Sequence, residues 1–300
     1  MTQTIIPLTG SDVAGPLGVV HLPRLWQKAI LSKTGLLTDR RYTDPRGFDV
    51  VLTAGLGLDL RALHAYLSSI PTYMECEKWV RANAQRLDEV AIARINAKIC
   101  AVHDNLPIWN EFHAWIVKNR GFPHDPIVPA ISSRSVGPLG LNHLARLWVK
   151  LLLDAVDLLP VGFRAGRIRV ESDEHGWRKR VIVTTGIGGL DVPFLDEFGV
   201  DVDHCVAFVK AGLPNYAAFE NYFCTHAKKF GPTRIAPFNA LRIDARPEKA
   251  AAERAEVGLD DPEMLWSYLL NDLTDWKTLH DLALSTGVRP APAPQGGRRR

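Results

Sequence analysis

The feature that most constrains this chain is an internal repeat. Gly15-Pro16-Leu17-Gly18 followed by H-L-P-R-L-W-Q-K at 21–28 recurs, 122 positions later, as Gly137-Pro138-Leu139-Gly140 followed by H-L-A-R-L-W-V-K at 143–150. Further matches follow in the same order with growing offsets. G-F-D-V at 47–50 answers G-L-D-V at 189–192, and G-L-D-L at 57–60 answers G-V-D-V at 199–202. Pro71, Tyr73, Glu77 and Asn96 answer Pro214, Tyr216, Glu220 and Asn239, and W-N-E-F-H at 109–113 answers W-K-T-L-H at 276–280. Ordered matches with growing offsets are the trace of one duplication followed by insertions in the second copy.

The repeat sets the expected domains. Residues 1–14 form an N-terminal segment, 15–120 a first helical repeat, 121–136 a Pro/Ser linker, and 137–287 a second repeat. Insertions fall at about 162–185, where strand-like runs flank D-E-H-G, and at 244–268, which reads as a helix and a loop. Residues 288–300 have the composition of a disordered basic tail. Helices are expected over His21–Leu37, Leu60–Leu67, Thr72–Arg86, Glu89–Cys100, Pro107–Lys118, Val202–Val209, Asn215–Lys228 and Thr274–Leu284, with Asp59 and Asp201 as N-caps. The fold class is mainly α: two tandem, pseudo-symmetric helical domains, the second carrying a small β-hairpin, so that one chain is an internal pseudo-dimer.

These motifs resemble a family of small bacterial helical domains of unknown function. Its members open with an L-P-R-x-x-x-K helix, continue through an L-G-φ-D segment (φ apolar) and finish near W-N-A or H-N-A. Leu22-Pro23-Arg24 to Lys28, Leu56-Gly57-Leu58-Asp59 and Ile95-Asn96-Ala97 carry the resemblance in copy one. Copy two departs at Ala145 and has Phe198-Gly199-Val200-Asp201 in the middle position. The resemblance implies a fold and a bacterial origin, and carries over no reaction.

The sharpest candidate chemistry is the stripe His21, Arg24, Lys28 and its counterpart His143, Arg146, Lys150. Residues at i, i+3 and i+7 lie within about 60° on a helix. Cations beside the apolar face of Leu25 and Trp26 need partners, and an arginine fork suits a carboxylate or phosphate. The leading expectation is a metal-free acid–base enzyme of lyase, isomerase or hydrolase type acting on a small anionic metabolite. Arg146 and Lys150, with Asn239, Arg24, Lys28 and His21, would bind it, and His143, Glu220 and Tyr216 would be catalytic. Copy two is favoured because its insertions can wall or cover the site. The alternative is a non-catalytic ligand-binding or scaffold protein in which Arg24 and Arg146 pair with Glu77 and Glu220 or cap neighbouring helices.

Other classes find little in the sequence. No cofactor motif is present: G-I-G-G at 186–189 lacks the remainder of a phosphate loop. Asp201-x-Asp203-His204 could offer metal ligands, but copy one has Asp59, Arg61 and Ala62 there, so no metal is expected. Four scattered cysteines form no C-x-x-C pair and read as thiols in a reducing compartment. No apolar run is long enough to span a membrane, and M-T-Q-T-I-I-P-L-T-G-S lacks the pattern of an export signal, so a cytoplasmic protein without membrane contact is expected. The formal charge of +3 suggests nucleic acid at first sight. Yet Arg289, Arg298, Arg299 and Arg300 supply that excess, the remainder is close to neutral, and no nucleic-acid partner is expected.

Overall fold

A computed structural model of the chain describes residues 5–37, 47–122, 124–172, 174, 178–241 and 243–286. The expected tail at 288–300 lies outside the described residues. The fold is mainly helical. Among the described residues it has α1 Leu22–Lys33, α2 Phe48–Leu56, α3 Leu60–Leu67, α4 Tyr73–Asn83, α5 Glu89–Cys100, α6 Leu106–Asn119 and α7 Leu144–Ala155. These are followed by α8 Asp191–Phe198, α9 Val202–Gly212, α10 Tyr216–His226, α11 Pro232–Ala240, α12 Pro247–Val257 and α13 Ser267–Thr286. Between α7 and α8, strands β1 Ala165–Ser172 and β2 Arg178–Thr185 pair antiparallel, with Ala165 opposite Thr185 and Ser172 opposite Arg178.

Local chemistry accounts for the helix ends. Pro23 sits in the first turn of α1, where its missing N–H costs nothing. That helix stops at Lys33, short of the expected Leu37, because Gly35 takes a positive φ of 74°. Asp59 and Asp201 accept hydrogen bonds from the first-turn amides of α3 and α9, and Thr72 with Glu75 closes a capping box on α4. Helix α7 is buried from Leu144 through Asp154, so it runs through the middle of the molecule while α1 keeps a wet side.

The packing departs from the expected domains in two ways. First, α6 does not close the core of the half it follows. Trp109, Phe112 and Ile116 pack with Trp148, Phe198 and Tyr216, while Leu273, Trp276 and Leu279 of α13 pack with Trp26, Leu63 and Tyr73. Ring centroids lie 4.6 Å apart for Trp109–Tyr216 and 4.5 Å for Trp276–Tyr73. His113 Nε2 donates to the Leu213 carbonyl at 2.7 Å, and His280 Nε2 to the Ile70 carbonyl at 3.0 Å. Each terminal helix thus fills the other half's core, and boundaries at 15–120 and 137–287 cut through both cores.

Second, the expected linker at 121–136 and N-terminal segment at 1–14 contribute core. Ile127, Val128, Ala130, Ile131, Ser132 and Ser133 are buried, as are Ile5, Ile6, Leu8, Thr9 and Ser11. The amide of Ile5 donates to the Leu36 carbonyl and that of Ile127 to Leu158. Thr9 Oγ1 donates to the Ala130 carbonyl at 3.0 Å, tying the two strips together. Proline and serine are found in such a strip because it runs extended between helices, its hydroxyls satisfying polar groups that would otherwise be stranded.

Candidate functional site

The two G-P-L-G segments form tight turns, with Gly18 N donating to Gly15 O at 3.0 Å and Gly140 N to Gly137 O at 2.9 Å. The first glycine of each is required by close approach. A Cβ on Gly15 would stand 2.2 Å from Tyr73 Oη, and one on Gly137 2.3 Å from the Tyr216 ring. Glu77 accepts the Leu17 amide at 3.1 Å and Glu220 the Leu139 amide at 3.0 Å. Asn96 Oδ1 accepts the Val20 amide and Asn239 Oδ1 the Asn142 amide, while each Nδ2 donates back to Gly18 O or Gly140 O. Tyr216, Glu220 and Asn239, expected as catalytic or binding groups, therefore hold this turn, and none lines the cavity beside His143. Glu77 and Glu220 are likewise not the partners of Arg24 and Arg146.

The turn aims a histidine. His21 and His143 precede α1 and α7 in the left-handed region, with φ of 69° and 72°, a conformation costing a non-glycine residue about 1–3 kcal/mol and held only where surroundings enforce it. Three side chains do so at each place. His21 Nε2 lies 2.7 Å from Asp49 Oδ1 and Nδ1 lies 2.9 Å from Ser11 Oγ. His143 Nε2 lies 2.9 Å from Asp191 Oδ1 and Nδ1 lies 2.9 Å from Ser133 Oγ. Lys28 Nζ binds Asp49 Oδ2 at 2.7 Å, and Lys150 binds Asp191. Asp49 and Asp191 sit in the first turns of α2 and α8, where the helix dipole favours a negative charge.

Burial pushes His21 down to about 4 against the pull of Asp49, and lowers His143 in the same direction. Both rings are neutral near pH 7. Burial alone would raise Asp49 and Asp191, but the histidine hydrogen bond and the lysine charge outweigh it and leave both carboxyls below their usual range. Each cluster is thus a neutral imidazole, a carboxylate and an ammonium. The ring donates Nε2–H to the aspartate, and its Nδ1 accepts the serine hydroxyl.

Both arginines bond backbone carbonyls of the extended strips. Arg24 donates to the carbonyls of Pro7 and Thr9 at 3.0 and 2.8 Å, and Arg146 to those of Pro129 and Ile131. Arg146 also pairs with Asp275 of α13. The residue before the tryptophan in α6 is Ile108 instead. Burial raises Asp275 to about 6, with Arg146 opposing.

Both stripes open onto cavities bordered by a terminal helix. The first, about 950 Å³, is lined by Ser11, His21, Arg24, Lys28, Asp104 and Glu111 among others. The second, about 480 Å³, is lined by His143, Arg146, Lys150, Arg164, Asp191 and Asp275 among others. Among the described residues lining it, Arg146, Lys150 and Arg164 stand with Asp191 and Asp275, and Arg164 also reaches Asp154 and Asp157; Arg24 and Lys28 line the first cavity with Asp104 and Glu111. The structure therefore brings His143, Arg146 and Lys150 together, as it does His21, Arg24 and Lys28.

Asp49, Asp191, Ser11, Ser133 and Asp275 were not among the expected site residues. The first four carried a signal: each aspartate recurs in the matched G-φ-D-V, and Ser133 lies as far before His143 as Ser11 before His21. Asp275 had the weaker signal of an acid beside an apolar stripe.

Asp201 caps α9, with His204 N donating to it at 2.8 Å. No three His, Cys, Asp or Glu side chains are grouped as a metal site among the described residues, nor is any single helix there long and apolar enough to cross a membrane. Comparison with family models, curated proteins and solved structures finds no match for this chain.

Proposed function

We propose that the second cavity binds a small anionic metabolite and that the protein transfers a proton on it, in a lyase, isomerase or hydrolase type of reaction. The observation that carries this reading is the convergence of Arg146, Lys150 and Arg164 on one cavity, with Arg164 held there only by long ion pairs that an anion can replace. Desolvated arginine and lysine bind carboxylate or phosphate oxygens strongly. Asp275, raised to about 6 by burial, is the group suited to give and take a proton near neutral pH. His143 orients Asp191 and, through it, Lys150. We further propose that the chain is a tandem duplication of the resembled bacterial domain, the hairpin and α12 being additions to the second copy. Its four free cysteines favour a reducing, cytoplasmic setting.

A second reading, a scaffold protein, is favoured by a specific observation: in both stripes the His and Lys groups bond protein acceptors. Thermal-shift titration with inorganic phosphate, sulfate and citrate separates the two. The binding reading expects at least one to raise the unfolding temperature, and Arg164→Ala to remove that rise measured against the variant's own unliganded temperature. Arg164 is suited to this because its ion pairs are loose, 3.6 Å to Asp154 and 3.5 Å to Asp157. No shift with any anion supports the scaffold.

A further inference from the structure

The serine hydroxyls play no part in anion binding, yet each completes a hydroxyl–imidazole–carboxylate series. Ser11 is the accessible one. It is 3% exposed and lines the first cavity, whereas Ser133 is 0% exposed and does not line the second. Ser11 Oγ lies 2.9 Å from His21 Nδ1, and the opposite ring nitrogen donates to Asp49, whose position Lys28 fixes. Phe48 meets the His21 ring edge-on at 5.5 Å and limits its rotation. Serine, imidazole and carboxylate in series is the arrangement that activates a hydroxyl for nucleophilic attack, recognised by geometry rather than by chain order.

We propose that Ser11 is the nucleophile of an acyl-transfer site in the first cavity, independent of the anion site in the second. Its oxygen attacks the carbonyl carbon of an ester or similarly activated acyl compound while the hydroxyl proton passes to His21 Nδ1. The bond to the leaving group breaks, and the leaving group departs with that proton. Water then attacks the Ser11 ester, giving a proton to His21, which returns it to Ser11 as the acid is released. Asp49 stabilises the imidazolium formed in each half of the cycle.

Diisopropyl fluorophosphate applied to the folded full chain, with the adduct mapped by peptide mass spectrometry, tests the proposal. Ser11 is expected to be labelled and Ser133 not, at a rate roughly 100-fold above that of Ser11 in the chain unfolded in urea, the scale of general-base assistance. Hydrolysis of p-nitrophenyl acetate is expected to fall to background in Ser11→Ala. Asp49→Asn should slow the labelling, and if that variant does not fold, the Ser11–Ser133 comparison in the native chain still decides. Absence of a Ser11 adduct in the folded chain, or labelling no faster than in urea, overturns the proposal.

Discussion

Replacing Glu77 by glutamine should change how stability depends on pH. Glu77 is 2% exposed, and burial lifts its carboxyl from an ordinary 4.5 to about 7 in spite of the hydrogen bonds donated by Tyr73 and Leu17. Ionising it in the folded chain therefore costs about 3 kcal/mol more than in the unfolded chain. Between pH 4.5 and 7 the folded state keeps a proton that the unfolded state has released, so this group's contribution to stability falls as pH rises through the window. Glutamine does not titrate. Relative to the parent, Glu77→Gln should gain about 3 kcal/mol between pH 4.5 and pH 8, while other buried groups such as His21 and Asp275 cancel in the difference. Urea unfolding at the two pH values, followed by tryptophan fluorescence, measures it. Parallel pH profiles would show that the carboxyl is not raised. A relative loss for glutamine as pH rises would show that the donated hydrogen bonds outweigh burial, reversing the argument.

Two further outcomes follow from the packing. Trp276→Ala should cost about 3–5 kcal/mol, the scale of a large-to-small core truncation, because this fully buried ring fills the core around Trp26 and Tyr73; urea unfolding gives the value. Arg146→Ala should cost about 3–5 kcal/mol by leaving Asp275 buried without its partner, and adding Asp275→Ile, the residue type found at Ile108, should recover part of that loss in the same assay.

How much of this was legible in the sequence depends on the range of each interaction. The apolar stripe of α1, the caps at Asp59 and Asp201 and the extent of α5 are local, and periodicity or a single side chain reveals them. Short α2 escaped because F-D-V-V-L-T-A-G-L is apolar nearly throughout and shows no face, and α8 because it spans only two turns with a proline in the first. The His–Arg–Lys stripe was visible because all three lie within eight residues, but its partners were not. Asp49 is 28 residues from His21, Asp191 is 48 from His143, and Asp275 is 129 from Arg146. Asn239 looked chemical for the same reason that it is structural: a polar group in apolar surroundings must be satisfied, and here a glycine turn does it, while the Tyr216 ring packs against Gly137 of that turn. The exchange of α6 and α13 left no mark, since Trp109 and Trp276 present the same apolar faces whichever core receives them.

That exchange bears on how the molecule is made. A ribosome adds about 5–20 residues per second, so Trp26 emerges on the order of ten to fifty seconds before Trp276, about 250 residues later. Throughout that interval Leu22, Trp26, Leu63 and Tyr73 lack the helix that covers them. The half synthesised first thus acquires its final core only after the second half is nearly complete, and the nascent chain presents an open apolar groove to any chaperone within reach until then.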